Sequence, residues 1–379
     1  MSLQYVREGL RAFAQDMVLP YVCSNAFGRL PLLYFMALRS GQATKSDTTL
    51  GRPGMIPILG GAKLSKARQE ELSSFSVKVD IHTATSDDTK EMGERDTRPT
   101  VTTSQDQNFG QAEFRRARLI TPIKISHSAI KLAMDQKNAD RAIKNLTKTC
   151  VDEAMGVHTG ALATRQWFGG VVHPTSSVDY TFNQNVTKWP RMLGIMSAMN
   201  TDNVYGRVNR ANLAAGSAWL GKRVTTAMAP DIFEIIDEAN IGQKCADSAV
   251  GDGGITLGLC TAAQFRKYKR QARREGMKYW ADGVPEMAQL GFMREVIQVD
   301  KTYVTYDPLC PAGYFAALNL GTWTFAADKT DNMRVTDFES MCDNGQVGGE
   351  EADQAFIITE ASTVCWSPYA NCLFTSISE

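Results

Sequence analysis

Gly216, Gly221 and Lys222 stand at the spacing of a phosphate-binding loop, in which backbone amides cradle a nucleotide's phosphates and the lysine reaches the terminal one. That chemistry also needs Ser or Thr after the lysine to ligate magnesium, and position 223 is Arg. Trp219 puts a bulky indole where amides should approach phosphate, and residues 210–213 do not read as the strand that must precede such a loop. A P-loop-like nucleotidase is therefore the alternative from a different functional class, and it lacks its metal ligand.

The remaining reactive side chains are scattered. Eight cysteines occupy positions 23, 150, 245, 260, 310, 342, 365 and 372, with no C-x-x-C pair and no histidine at zinc-site spacing. Reduced structural thiols are the expectation. His82, His127, His158 and His173 are isolated from one another. Asp87 with Asp88 and Glu350 with Glu351 are adjacent carboxylates in polar stretches, whereas paired catalytic carboxylates need burial to separate their pKa values. No nucleophile elbow, H-E-x-x-H or dinucleotide fingerprint occurs. The expectation is no catalytic residue, no cofactor and no bound metal.

Charge narrows the class further. Forty-one basic residues balance 41 acidic ones over 379 positions. Neutrality argues against a dedicated nucleic-acid binder and favours self-association, since little net charge repels the copies. Arg266, Lys267, Lys269, Arg270, Arg273 and Arg274 still form a basic run beside Tyr268, Tyr279 and Trp280. It reads as a nucleic-acid contact, as a solvated helix face with Phe265, Tyr268 and Ala272 turned inward, or as arginines meeting acids on a neighbouring copy. Arg7, Glu8, Arg11 and Asp16 rule out a secretory signal, and the apolar run 30–38 is too short to span a bilayer. The expectation is a cytoplasmic chain without a membrane.

The elements that must position these residues mix helices and strands without a βαβ rhythm, so the class is α+β. Leu3, Val6, Leu10, Phe13 and Met17 predict a short amphipathic helix within an arm of residues 1–60. Residues 75–81 alternate as a strand, and Leu119–Ile125 reads as its return. Between them, Asp87, Asp88, Lys90, Glu91, Glu94, Asp96, Arg95 and Arg98 crowd a stretch with almost no large apolar residue. Such a stretch is either disordered or a functional loop completed by another chain. Asn138 predicts a cap for a helix near 30 residues long, with an apolar stripe through Ala139, Ala142, Ile143, Leu146, Cys150, Ala154, Val157, Ala161 and Leu162 and a stop at Gly169-Gly170. Further on, 229–245 predicts a helix, 255–260 a buried strand, and Thr261 with Gln264 a capping box opening a helix that ends at Gly276. Residues 293–299, 314–320, 356–359 and 363–366 read as β-structure, with Leu373 and Phe374 closing the chain.

One short stretch carries a resemblance. Val204-Tyr205-Gly206-Arg207-Val208-Asn209-Arg210, followed by Trp219, resembles the junction leading into the axial domain of tailed-phage major capsid proteins of the Hong Kong 97-like fold. Leu259–Tyr268 resembles the strand-then-helix of that domain. Val299-Asp300, Asp307–Phe315 and Leu318-Asn319 resemble its later strand, Pro-Gly and Leu-Asn segment. Asn209 stands where the family usually has an acid, and the gap from Arg210 to Trp219 is longer than usual.

The resemblance implies a domain order: N-terminal arm 1–60, extended hairpin loop 62–125, peripheral domain 126–189 with a spine helix at about 138–168, axial domain 190–328, and peripheral C-terminal strands 329–379. Tyr205, Gly206, Arg207, Arg210 and Trp219 become junction residues, and Asp87, Asp88, Lys90, Glu91, Glu94, Arg95 and Arg98 an inter-subunit loop. It implies a homo-oligomer of hexamers and pentamers forming an icosahedral shell in the virion, enclosing double-stranded DNA without sequence-specific binding. Its partners would be a separate scaffolding protein, a portal and a decoration protein, with no covalent crosslink and no enzymatic activity. An encapsulin-like shell around protein cargo is the alternative within the same fold.

Overall fold

The computed structural model describes residues 30–32, 76–82, 109–135, 138–172, 174, 192–200, 204–213, 217, 219–244, 254–276, 278–280, 295–300, 302–327, 334–340 and 352–378. The charged residues at 87–98 and the expected arm, apart from 30–32, lie outside them. Leu32 is buried, and its amide donates to the Asp307 carboxylate at 3.3 Å.

Strand β1 (Ser76–His82) pairs antiparallel with β2 (Phe109–Arg115), Ser76 opposite Arg115 and His82 opposite Phe109. The return strand is thus not the expected Leu119–Ile125. That segment lies in β3 (Ala117–Ser126), which pairs instead with the long β15 (Ala352–Cys365), from Ala117 opposite Ala361 to Ser126 opposite Ala352. The reason is burial. Ala117, Thr121, Ile123 and Ile125 alternate inward along β3 with exposed residues between them, and one buried face needs a sheet covered by a helix. Only Arg116 separates β2 from β3, so two strands of different allegiance follow one another almost without a break.

β15 is the spine of a five-stranded sheet. One edge takes β3. The other takes β14 (Glu339–Ser340), β13 (Arg334–Val335) and β12 (Trp323–Ala327) in turn along its length. Helix α1 (His127–Met134), capped by Ser126, leads to α2 (Ala139–Phe168), which lies across this sheet. Ile143, Val151, Met155, Leu162, Trp167 and Phe168 of α2 share one core with Ile123, Ile125, Ala355 and Ile357.

Two details of α2 differ from expectation. Asn138 occupies the cap position but makes no side-chain cap bond. Val157, assigned to the buried stripe, is 61% exposed. The helix buries His158 in its place, with the ring hydrogen bonded to Thr121 Oγ1 at 2.9 Å and Thr359 Oγ1 at 2.8 Å. Thr147 is buried too, its hydroxyl returned to the Ile143 carbonyl at 2.9 Å. An apolar-only pattern cannot see polar residues whose partners satisfy them inside.

After the short helix α3 (Ile195–Met199) and the hairpin β4 (Val204–Tyr205) and β5 (Val208–Asn209), the chain builds a second sheet. Its strands are β6 (Lys222–Val224), β7 (Leu257–Cys260), β8 (Lys278–Trp280), β9 (Val296–Val299), β10 (Thr302–Tyr306), β11 (Phe315–Leu318) and β16 (Cys372–Phe374). The order across the sheet is β6-β16-β11-β7-β10-β9-β8. Helices α4 (Ile232–Lys244) and α5 (Ala262–Glu275) cover it, burying Ile232, Ile235, Ile236, Phe265, Tyr268 and Ala272 against Phe315 and Phe374. The expected capping box at Thr261 and Gln264 is present, and α5 stops at Gly276 in the left-handed region. The closing strand β16 pairs with β11 and β6 in the second sheet rather than with β15. Residues 366–371 make the passage from β15 through a turn beside Trp323.

Candidate functional site

Tyr205-Gly206-Arg207 lie where the β4–β5 hairpin packs on β2 and reaches the end of β15. Gly206 and Arg207 both have positive φ, 59° and 64°, as the two-residue primed hairpin turn requires. The tight turn lets the hairpin seat on β2. Glu113 N donates to Gly206 O at 2.9 Å, and a Cβ on Gly206 would stand 2.7 Å from the Phe114 ring. Arg207 pairs with the Glu113 carboxylate at the exposed rim.

Beneath the turn, Tyr205, Trp219 and Phe114 form an aromatic cluster with ring centroids 5.0 to 6.1 Å apart. All three are buried. The Trp219 indole donates to the Tyr205 carbonyl at 3.3 Å, and the Tyr205 hydroxyl accepts the Cys365 amide at 2.9 Å. Burial pushes the Tyr205 phenol well above its ordinary pKa, so it stays a neutral anchor.

Arg210 is also buried, 5.0 Å from the centre of the Tyr205 ring. It donates to Ala198 O at 2.6 Å and to Ser197 O, gripping the C-terminal end of α3. A buried guanidinium requires such acceptors because its desolvation is costly. Asn209, at the position where the resembled family carries an acid, accepts the Ala211 amide at 3.2 Å and caps the turn at 210–212. The arginine of this motif is thus held by carbonyls and an aromatic face.

Asn371 escaped the sequence reading. Its Oδ1 accepts both Asn319 N and Trp323 Nε1 at 2.8 Å; its Nδ2 donates to Thr322 Oγ1 at 2.9 Å and Ser367 O at 3.0 Å. The amide therefore ties β11's end, β12's start and the passage into β16 together. The available signal is indirect: a buried Trp needs an acceptor for its N–H, and Trp323 follows the Leu318-Asn319 segment closely.

The phosphate-loop candidate does not have that geometry. Lys222 opens strand β6 rather than a helix, and its ammonium donates to Glu238 O at 2.5 Å and pairs with the Glu238 carboxylate. Trp219 is occupied in the aromatic cluster. Burial pushes the Cys365 and Cys372 thiols up to about 12 and raises Cys260 as well; such thiols are poor nucleophiles at neutral pH. Among the described residues no group of three or more His, Cys, Asp or Glu could hold a metal ion, and no helix is long and apolar enough to cross a membrane. Asp87, Asp88, Lys90, Glu91, Glu94, Arg95 and Arg98 lie outside the described residues. The junction's contacts run from the β4–β5 hairpin and Arg210 to β2, to α3 and to the end of β15.

No family model matches the sequence, and no curated protein matches it. The subunit in the cyanophage A-1(L) capsid asymmetric unit superposes with a TM-score of 0.50 at 10% identity, over 88% of this chain and 99% of that one. This chain has a phage capsid fold. The capsid of an empty GTA particle is also similar, with a TM-score of 0.44 at 12% identity over 89% of this chain and 100% of that one. An encapsulin from Synechococcus elongatus PCC 7942 gives 0.42 at 9% identity over 71% and 78%.

Proposed function

We propose that this chain is the major capsid protein of a tailed phage, a structural subunit that forms hexamers and pentamers and closes an icosahedral shell around double-stranded DNA. The supporting observation is the capsid fold over nearly the whole chain, joined to a junction whose side chains fasten structure and offer no reactive group. In this reading α2 is the spine helix and the five-stranded sheet with α1 and α2 is the peripheral domain. The seven-stranded sheet is the axial domain, and β1 with β2 is the root of the extended loop. The arm at 1–60 and the charged residues 87–98 contact neighbouring subunits. Tyr205, Gly206, Arg207, Arg210 and Trp219 hold the loop's root against both domains.

The chain catalyses nothing and takes no cofactor. Assembly occurs in the host cytoplasm with a separate scaffolding protein and a portal, and a decoration protein joins the finished virion. DNA is enclosed without sequence readout, consistent with zero net charge over the whole chain.

Negative-stain electron microscopy of the purified chain over a concentration series tests the proposal. Capsomers or shells are expected. A chain that remains monomeric at high concentration, alone and with its scaffold, overturns it. Protein cargo in place of DNA inside native particles would favour the encapsulin-like shell.

A further inference from the structure

The outer face of the α4–α5 layer carries charge of both signs in separate stripes. On α5, Arg266, Arg270, Arg273 and Arg274 are exposed on one side, opposite the buried Phe265, Tyr268 and Ala272. Lys269 is engaged with Glu295 at 2.6 Å. Arg266, Arg270 and Arg274 make no hydrogen bond or ion pair among the described residues. Spaced four apart, these like charges repel along the helix. On α4, Glu234 and Asp237 are exposed beside the half-exposed Phe233, and their carboxylates have no partner among the described residues. The two helices abut, with Ile232 N donating to Gln271 Oε1 at 3.2 Å. Yet among the described residues Arg266, Arg270 and Arg274 do not pair with Glu234 or Asp237.

We infer that this face is a contact between copies of this chain, the arginine stripe of one α5 docking on the Glu234–Asp237 edge of a neighbour's α4. The inference rests on the self-assembling reading above. Complementary charge selects the occupant. A second copy answers both stripes at once, whereas a polyanion drawn to the arginines meets free carboxylates on the adjoining helix. Complementary patches of this kind fix register and suppress wrong partners more than they add affinity.

Charge reversal in trans provides the test. Full-length R266E/R270E/R274E and full-length E234K/D237K are compared with the parent by sedimentation velocity over a concentration series, after circular dichroism shows each is folded. Arg270→Glu and Asp237→Lys alone replace any multiple variant that is not. Each reversed chain should need roughly ten-fold or more protein to associate, because like charges now face each other. An equimolar mixture of the two should regain the parent's behaviour, since every contact between unlike chains is again of opposite sign. The parent's association should also weaken as salt rises. If either variant associates like the parent, or the mixture fails to recover, the contact is wrong. If the arginine variant associates normally but loses binding to a DNA duplex, a polyanion is the occupant and the proposal falls. A parent chain that stays monomeric overturns the capsid reading itself, and this contact with it.

Discussion

The Tyr205 hydroxyl accepts the backbone amide of Cys365 at 2.9 Å, joining residues 160 positions apart. A two-residue turn and the end of the longest strand are thereby fixed to one another. Because the amide is buried, it has no water to turn to when the hydroxyl is gone.

Tyr205→Phe should therefore destabilise by about 1–3 kcal/mol, the cost of leaving a buried donor unsatisfied. Trp219→Ala should cost more, about 3–5 kcal/mol, since it empties the centre of the aromatic cluster. Denaturant midpoints of the two variants measure this. A Trp219→Ala midpoint equal to the parent's would show that the indole is not packed as described.

Gly206→Ala should be harmful although it adds only a methyl. The methyl meets Phe114 and Ala112, and φ of +59° costs an L-residue about 1–2 kcal/mol. Arg207→Gly should be close to neutral. It relieves a left-handed non-glycine residue and gives up an exposed ion pair worth about 0–1 kcal/mol. Melting temperatures should rank Gly206→Ala well below the parent, with Arg207→Gly beside it.

His158 makes stability depend on pH. Burial, with the Arg165 charge adding to it, holds the folded ring's pKa down to about 4 from an ordinary 6.5. Between those values the unfolded chain takes up a proton that the folded chain refuses. The contribution is complete above pH 6.5 and is lost as pH falls toward 4, reaching about 3 kcal/mol. His158→Gln keeps hydrogen-bonding capacity toward Thr121 and Thr359 without a titrating group. The difference in unfolding free energy between parent and variant should shrink across that window, and a constant difference would exclude the mechanism.

Deleting residues 84–105 and joining the ends through Asn-Gly should leave the monomer folded, because β1 and β2 pair below that point. Shells should be lost if the charged residues bridge subunits. Each exposed pair is weak, about 0–1 kcal/mol, but a shell repeats it in every copy. Electron microscopy of the deletion variant decides: complete particles would mean that the segment plays no part in assembly.

Much of this architecture is legible from local pattern. The long helix, the capping box at Thr261 and Gln264 and the stop at Gly276 follow from periodicity and capping chemistry, which act within a few residues. What could not be read depends on distant partners. Choosing β2 over β3 as the return strand requires knowing that β15 claims β3. Preferring His158 to Val157 as the inward residue requires the hydroxyls of Thr121 and Thr359. The role of Asn371 appears only when Asn319, Thr322 and Trp323 are brought to it. Even in the motif stretch, the type of residue at 205, 207 and 210 was visible while their partners, Cys365, Glu113 and the α3 carbonyls, were not.

Strand β16 lies between β6 and β11, at an interior position of the second sheet, although it follows every other strand of that sheet in sequence. A ribosome delivers β6 long before it delivers β16, its one partner strand among the described residues. The sheet therefore closes only after translation has passed Phe374. A chain cut short before Cys372 would lack the strand that joins β6 to β11 and would leave the second sheet unfinished.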